Sequence, residues 1–280
     1  MKRGNVSRHV MECLGMSRVV IEDGKVTEVS EPRVKHCPLF RKYRGIEELN
    51  TDTVRENIEF RISSFGMCTE DRETEMDDVI SFGISEILSH ALRQGSIDAA
   101  VIAADGCGTA VITEPRILQG MGGRISGIRE TEPIPKVVEA IGPENILDPG
   151  AAPIDMVAGT GKAFSQGHGT VAVTTTSVGD AVAIRDMYGD NAVIVGVHTT
   201  GMSDEDARTA FDVFDIITAC ASRALREEVS RRPDVMVAGT KVPIYGVTPK
   251  GKELVLSKLE QLGLRPWDGT TPQVPPEPLI

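Results

Sequence analysis

The sequence predicts an α/β protein with a Rossmann-like, mostly parallel sheet and an irregular N-terminal part that carries cysteines. Three observations lead to this prediction. Short runs of β-branched and small apolar residues alternate with amphipathic segments over residues 136–264. Such runs are typical of strands that helices cover on both faces of a parallel sheet. Residues 1–135 lack this regular alternation, and residues 265–280 form a proline-rich tail.

The N-terminal part begins with a predicted β-hairpin. Apolar and polar residues alternate on both sides of Asp23-Gly24, a dipeptide that tolerates the positive φ angles of a tight turn. Helices are predicted over about 50–64 and 73–94, the second with an apolar face at helical spacing. The run AAVIAA at 99–104 predicts a strand, and the sequence DGCG turns the chain at its end.

The C-terminal part is predicted to continue the sheet that begins at residues 99–104. Further strands are predicted near 170–176, 192–198, 215–219 and 235–247. We expect a parallel sheet, because segments long enough for crossover helices alternate with the strands. These helices are predicted in PKVVEAIG, IDMVAGTGKAFSQG, GDAVAIRDMYG, SDEDARTAFDVF, SRALREEVSRR and GKELVLSKLEQLG.

The tail RPWDGTTPQVPPEPLI is predicted to be an extended arm. Its prolines lack the backbone N–H group that helices and sheets require. We therefore expect the arm to be disordered or to dock on a neighbour. The chain is predicted to divide into residues 1–135, 136–264 and 265–280.

Composition and charge exclude several classes of protein. The 280 residues include 30 basic and 41 acidic side chains, a net charge of −11. This charge argues against a nucleic-acid binder whose affinity comes from phosphate neutralisation. No apolar run approaches the ~18 residues of a transmembrane helix, and the first residues lack the apolar core of a secretory signal. Five scattered cysteines indicate reduced thiols, so we expect a cytoplasmic protein of open oligomeric state.

Hydroxyl-rich segments follow three of the predicted strands. They are TTTS at 174–177, HTTG at 198–201 and TACAS at 218–222. Ligands of open parallel sheets bind beyond the carboxyl ends of the strands, and hydroxyls and free N–H groups suit a carboxylate or phosphate. The sequence therefore predicts a ligand crevice here. The candidate ligand-binding residues in it are Thr176, Thr199 and Thr200. The alternative is that these residues only cap the helices that follow.

Cys220 and His198 are the candidate catalytic residues. A thiol at a strand end that faces a helix N-terminus has its thiolate form favoured by the helix dipole. His198, at the neighbouring strand end, is placed to act as the base that activates this nucleophile. The alternative is that Cys220 is a small buried hydrophobic residue.

Cys37, Cys68 and Cys220 are candidate ligands of a metal or an iron–sulfur cluster. Cys37 lies in the basic segment EPRVKHCPLFRKYRG, and Cys68 lies in the loop sequence FGMCT. Positive charge near thiolates suits a cluster whose net charge is negative. The cysteine spacings match no compact ligand motif. A shared site therefore requires the N-terminal loops to fold over the carboxyl end of the sheet, with Arg41, Lys42 or Arg124 nearby.

Two glycine-rich segments differ in what they predict. The sequence GTGK at 159–162 lacks the first glycine, the Ser/Thr and the preceding strand of a phosphate-binding loop, so it predicts no ATP site. In QGMGGRISG, Gly122 and Gly123 permit a close backbone approach and Arg124 can clamp an anion. Asp105, in the turn after the first strand of the sheet, is a further candidate ligand-binding residue. The alternative for QGMGGRISG is a flexible linker.

Six stretches of the chain carry a family resemblance. They are VKHCPLFRKYRGI, ENIEFRISSFGMCTEDRE, DGCGTAVITEPRILQGMGGRISGI, VGVHTTGMS, DIITACAS and AGTKVPIYGVTPKGKEL. Together they resemble the methanogenesis marker protein 8 family over about residues 9–263. The resemblance implies a cytoplasmic role in archaea that make or oxidise methane through methyl-coenzyme M reductase. It implies no reaction and no ligand set. Its motif cysteines match Cys37, Cys68 and Cys220.

Two functions of different classes follow, beside a third in which the chain is a scaffold without a ligand. The first is an accessory or maturation factor linked to methyl-coenzyme M reductase that binds an iron–sulfur cluster or an anionic thiol cofactor. The acidic body, the basic cysteine loop and the proline-rich arm favour this role. The second is a Rossmann-like transferase, lyase or isomerase that uses Cys220 on a small carboxylate or phosphate, with His198 as base.

Overall fold

Two β-sheets organise the chain, which the computed structural model describes at residues 7–77, 82–123 and 127–280. The strands, in chain order, are β1 (Arg8–Glu12), β2 (Arg18–Glu22), β3 (Lys25–Val29), β4 (Ala99–Ala104), β5 (Gly108–Ile112), β6 (Ile128–Glu130), β7 (Val171–Thr175), β8 (Ala192–Gly196), β9 (Ile216–Thr218), β10 (Met236–Ala238) and β11 (Ile244–Gly246).

Helices surround both sheets. They are α1 (Pro38–Arg44), α2 (Thr51–Phe65), α3 (Ile84–Gln94), α4 (Pro115–Gly122), α5 (Pro135–Ile141), α6 (Met156–Ser165), α7 (Val178–Tyr188), α8 (Asp204–Val213), α9 (Arg223–Val229) and α10 (Pro249–Gln261). None of these helices, in the part of the chain described, combines the length and apolar character needed to cross a bilayer.

The N-terminal sheet has four antiparallel strands in the order β3-β2-β1-β6. Its first hairpin confirms the prediction from Asp23-Gly24, since φ is +47° at Asp23 and +71° at Gly24. Two positive φ angles are the signature of a tight primed turn. Helix α2 packs beneath this sheet, and their shared core includes Val19, Ile58 and Phe65.

The central sheet has seven strands in the order β10-β11-β9-β8-β7-β4-β5. Strands β4, β7, β8 and β9 are mutually parallel, which confirms the predicted fold class. Helix α7 joins β7 to β8 and α8 joins β8 to β9, so the carboxyl ends of these strands share one edge. All five residues of β8 are buried because apolar layers of helices cover both faces of the sheet.

The edges of the central sheet depart from the prediction. Residues 235–247 were expected to extend the parallel sheet, but β10 and β11 form an antiparallel hairpin against β9. The five residues between β10 and β11 are too few for a crossover helix, so the two strands must be antiparallel. At the other edge, β5 pairs antiparallel with β4 through the tight DGCG turn.

The helix predicted over residues 73–94 is shorter in the structure. It begins at Ile84, and residues 73–77 form no helix. Glu73 N donates to Phe65 O at 2.9 Å, which turns the chain back toward the end of α2. A Cβ atom on Gly120 would meet Thr74 O at 2.1 Å, so the backbone near Thr74 packs directly against α4.

The proline-rich tail docks on its own chain. Glu277 O accepts hydrogen bonds from Lys35 N and His36 N at 2.7 and 2.8 Å, and Ile280 N donates to Ala221 O at 2.8 Å. The tail therefore bridges the N-terminal part and the end of β9. Its backbone groups find these partners although its prolines exclude regular secondary structure.

A buried ion pair fixes the N-terminal part to the central sheet. Arg72 and Asp105 are both 0% exposed, and Arg72 Nε lies 3.0 Å from Asp105 Oδ2. The same carboxylate oxygen accepts from Cys68 N at 2.7 Å, and Arg72 Nη2 donates to Gly120 O at 2.9 Å. This Arg72–Asp105 clamp thus joins the loop after α2, the turn after β4 and helix α4.

Replacing Asp105 by Asn is expected to lower the free energy of unfolding by about 3–5 kcal/mol, because it leaves the buried Arg72 guanidinium without its counter-charge. Urea unfolding followed by circular dichroism measures the change. The control is Glu28→Gln, which breaks the exposed pair with Arg18 and should cost less than about 1 kcal/mol. Equal losses in the two variants would contradict the clamp.

Candidate functional site

Three adjoining cavities lie at the carboxyl edge of the parallel strands and share His198 as a lining residue. The apolar lobe, of about 340 Å³, lies over β4 and β7 and includes Ile102, Ile128 and Met156. The polar lobe, of about 350 Å³, lies between the starts of α7 and α8. The thiol lobe, of about 180 Å³, lies where the N-terminal part covers the end of β9. This crevice occupies the position that the sequence predicts for a ligand site.

Three cysteines line the thiol lobe: Cys13, Cys37 and Cys220. The N-terminal loops therefore fold over the carboxyl end of the sheet, and they bring Cys37 and Cys220 to one cavity. Cys68 is not among the lining residues, because its loop is held 1% exposed in the core by the bond to Asp105. Cys13, at the end of β1, takes the third place.

The thiols of Cys13 and Cys37 are protonated in this environment. Burial raises the pKa of Cys13 to about 11, although the nearby Arg61 guanidinium opposes the shift. Burial also raises the pKa of Cys37, against backbone N–H groups of Phe40 and Leu39 that favour its thiolate. These two thiols therefore add no charge to the lobe at neutral pH, and Glu12 is its acidic lining residue.

No metal centre is preformed among residues 7–77, 82–123 and 127–280. No three His, Cys, Asp or Glu side chains there lie together in a way that could hold a metal ion. Burial raises the pKa of Cys68 and of Cys107 above the ordinary thiol value, and the carboxylate of Asp105 adds to both shifts. These two thiols belong to the core around the Arg72–Asp105 clamp.

The charged residues that line the polar lobe are Arg129, Glu12 and Asp206. Arg129 Nη2 lies 3.0 Å from Glu12 Oε1, and its Nη1 lies 3.5 Å from Thr176 Oγ1. Ser177 caps α7 by accepting from Asp180 N at 3.1 Å, so this helix start also faces the lobe. Arg129 is not among the site residues that the sequence predicts. Its only signal was a second arginine after QGMGGRISG.

The predicted threonines line the polar lobe, but their hydroxyls also hold the strand ends together. Thr199 Oγ1 donates to Thr218 O at 2.6 Å, and Thr200 Oγ1 accepts from Ala221 N at 3.2 Å. Both bonds tie the end of β8 to the end of β9. Of these three threonines, only Thr176 has its hydroxyl beside a charged group of the lobe, since its Oγ1 accepts from Arg129 Nη1.

His198 and Cys220 share an uncommon backbone conformation. Their φ angles are +52° and +41°, in the left-handed region that side chains with a Cβ atom rarely adopt. Such a conformation costs on the order of 1–3 kcal/mol and clusters at functional sites. Cys220 Sγ lies within hydrogen-bond distance of Thr218 Oγ1, at 3.6 Å. The geometry therefore shows two strained residues at one cavity but no preformed bond between thiol and imidazole.

The remaining predicted residues lie in different places. Gly122 lines the apolar lobe, whereas Gly123 ends α4 outside the three lobes as described. Asp105 also lies outside them, because the Arg72–Asp105 clamp uses its carboxylate. Arg124 lies outside the described residues. Arg41 forms a surface ion pair with Glu47 at 2.9 Å.

Comparison with known proteins places the chain in a family. Residues 9–260 match the family described as an uncharacterised protein conserved in archaea, DUF2099. The chain belongs to this family. It is 42% identical over 262 residues to an uncharacterised protein of Methanocaldococcus jannaschii, with 92% of each chain covered. The family match includes every lining residue of the three lobes except Pro276 of the tail. The resemblance to methanogenesis marker protein 8 stays a prediction.

His198 is expected to make the stability of the protein depend on pH. Burial and the charge of Arg129 lower the pKa of His198 from 6.5 to about 4. The unfolded chain therefore takes up a proton at this residue between pH 6.5 and 4 while the folded chain does not. The contribution of His198 to the free energy of unfolding is complete above pH 6.5. It decreases as the pH drops toward 4, by up to about 1.4 kcal/mol per pH unit.

The measurement is urea unfolding of the wild type and of His198→Gln at pH 7 and pH 5. The loss of stability between these values is predicted to be smaller in the variant, since glutamine does not titrate. His168→Gln is the control, because His168 lies on the loop before β7, away from the crevice. An equal loss in wild type and His198→Gln would show that His198 titrates normally in the folded state.

Proposed function

We propose that this chain is an accessory or maturation factor of methane metabolism, linked to methyl-coenzyme M reductase, and that its crevice binds a small anionic ligand that carries a thiol. The link to methane metabolism rests on the resemblance in the cysteine loops and in GMGGRISG. The ligand class rests on one observation. His198 joins a lobe lined by Arg129 and hydroxyls to a lobe lined by three thiols.

The polar lobe supports the anionic end of this ligand. A guanidinium carries five N–H donors, so the bonds of Arg129 to Glu12 and Thr176 leave donors for a carboxylate, sulfonate or phosphate. The start of α7 adds a favourable dipole on the same side. The anion must compete with Glu12, which favours a ligand that accepts two hydrogen bonds from Arg129.

The thiol lobe supports the opposite end of the ligand. The protonated thiols of Cys13 and Cys37 carry no charge, and apolar side chains such as Leu39 and Phe40 complete the wall. A second negative charge would lose its hydration there and would meet the carboxylate of Glu12, which also lines this lobe. A short, uncharged end that carries sulfur fits this lobe better.

An iron–sulfur cluster does not fit the arrangement of the described residues. Cys37 and Cys220 share a cavity, but Cys68 lies in the core, and no group of three metal-ligating side chains is present among the described residues. The proposed function therefore includes no step that depends on a cluster.

The surface of α1 supports the link to a protein partner. Arg41, Lys42 and Arg44 lie in its last turn, and Tyr43 is 47% exposed beside them. Lys42 Nζ lies 4.7 Å from the centre of the Tyr43 ring. This basic and aromatic surface is suited to an acidic region of another protein. Helix α1 follows directly after Cys37, which lines the thiol lobe.

A second candidate function is catalysis with Cys220 as nucleophile. The observation that favours it is the positive φ of both His198 and Cys220 at the ends of adjacent strands. In this role the chain is a transferase, lyase or isomerase that acts on a small carboxylate or phosphate, and ligand binding brings the imidazole to the thiol. A covalent adduct at Cys220, seen by intact mass after incubation with such compounds, would favour this function.

The anion site is tested by thermal unfolding in increasing concentrations of 3-mercaptopropionate. The wild type should be stabilised, by about 2.7 kcal/mol at a ligand concentration 100 times Kd. Arg129→Gln should lose most of this effect. Arg18→Gln is a matched control, because Arg18 is a similarly exposed strand arginine that also pairs with one glutamate. Equal stabilisation of the wild type and Arg129→Gln would contradict the site.

The partner is tested by anaerobic affinity purification of the tagged chain from its native archaeon after cross-linking. Subunits of methyl-coenzyme M reductase or of its maturation machinery are expected to co-purify. They should be depleted when Arg41 and Lys42 are both changed to Glu, while the fold is unchanged by circular dichroism. Recovery of the tagged chain without these subunits would contradict the role. Iron above background in the same sample would support the binding of an iron–sulfur cluster.

A further inference from the structure

Cys37 and Cys220 are the two thiols of the thiol lobe that retain access to solvent. Both are partly exposed, whereas Cys13 is buried and its Sγ lies 3.5 Å from Ser17 O as a hydrogen-bond donor. Cys37 precedes α1 in the N-terminal part, and Cys220 follows β9 in the central sheet. The two thiols therefore line one cavity and come from two different parts of the chain.

The tail connects the two segments that carry these cysteines. Glu277 pairs with His36, the residue before Cys37, through hydrogen bonds in both directions at 2.8 and 2.9 Å. Ile280 pairs with Ala221, the residue after Cys220. Pro276, the residue before Glu277, lines the thiol lobe. The same short segment thus connects the backbone beside both thiols.

Arg226 holds a positive charge beside Cys220. Its Nη2 donates to Cys220 O at 2.9 Å, and its Nη1 donates to Gln273 Oε1 of the tail at 3.2 Å. Its Nε is buried without a hydrogen-bond partner among the described residues. Burial raises the pKa of the other accessible thiol, Cys37. Of the two accessible thiols, Cys220 is therefore the one placed to react first.

We propose that Cys220 and Cys37 form a dithiol that reduces a small disulfide bearing an anionic group, with Cys220 as the attacking and Cys37 as the resolving thiol. This proposal rests on the proposed function, because it takes the crevice to be the site of the anionic ligand. Arg226 is a positioning residue in this reaction, since it acts through Cys220.

The exchange balances without a further reactant. The Cys220 thiolate attacks one sulfur of the disulfide, forms a mixed disulfide and releases the first ligand thiolate. Cys37 then loses its proton and attacks Cys220 Sγ, which forms the Cys37–Cys220 disulfide and releases the second ligand thiolate. Two electrons pass from the cysteines to the ligand, and the two protons lost by the cysteines are taken up by the released thiolates through solvent.

The test is anaerobic incubation of the reduced full chain with 3,3′-dithiodipropionate, followed by intact mass and peptide mapping. The wild type should lose two mass units and contain a Cys37–Cys220 link. Cys37→Ser should stop at a mixed disulfide on Cys220, and Cys220→Ser should react at least tenfold more slowly. Cys68→Ser is the control and should react like the wild type, because Cys68 lies outside the three lobes.

Arg226 is tested by the rate of the first step at neutral pH. Arg226→Gln should slow the modification of Cys220 by about tenfold, because the bond to Cys220 O that positions this residue is lost, and Arg226→Lys should restore much of the rate. An unchanged rate in Arg226→Gln would remove Arg226 from the proposal. All variants are compared only where their far-ultraviolet circular dichroism matches that of the wild type.

A stable mixed disulfide in the wild type, or first reaction at a cysteine other than Cys220, would overturn the dithiol. The failure of the proposed function is distinguished by thermal unfolding of the wild type with 3-mercaptopropionate. If the wild type is stabilised by this ligand but performs no exchange, the ligand site stands and the dithiol falls. If neither occurs, both fall.

Discussion

The Arg72–Asp105 clamp is the interaction on which the rest of the structure depends. It attaches the end of α2 to the turn after β4, at a point where neither charge meets water. The N-terminal sheet is joined to the same turn, because Thr131 Oγ1 accepts from Gly106 N at 2.8 Å and lies 2.7 Å from His9 Nδ1. Once these contacts fix the N-terminal part, its cysteine loops must lie over the carboxyl edge of the central sheet.

In the absence of a ligand, the titratable side chains of the crevice are in protonation states that disfavour thiol chemistry. Its imidazole is held neutral, since burial lowers the pKa of His198, and two of its thiols are held protonated. An anion beside Arg129 would offset the charge that now disfavours protonation of His198. In the proposed function, ligand binding would therefore favour protonation of His198, which lines both the polar lobe and the thiol lobe.

The sequence predicts the repeating parts of the fold well and the tertiary parts poorly. The Asp23-Gly24 hairpin and the strand-helix alternation can be predicted because they depend on local patterns, and the structure confirms both. The antiparallel β10–β11 edge depends on a short loop, and the start of α3 depends on packing between Thr74 and Gly120, which no local pattern reveals. Strand-end residues such as His198 follow from the general rule for parallel sheets. Arg129 and Cys13 reach the crevice only through pairing of β1 with β6.

The most direct test of the account is the pKa of the His198 imidazole, measured by nuclear magnetic resonance with His198→Gln as the assignment control. Without ligand, the pKa of His198 should lie well below 6.5. Saturating 3-mercaptopropionate should raise the pKa of His198 by about one unit or more in the wild type and leave it unchanged in Arg129→Gln. A His198 pKa that is the same with and without this ligand would contradict the claim that the polar lobe is an anion site.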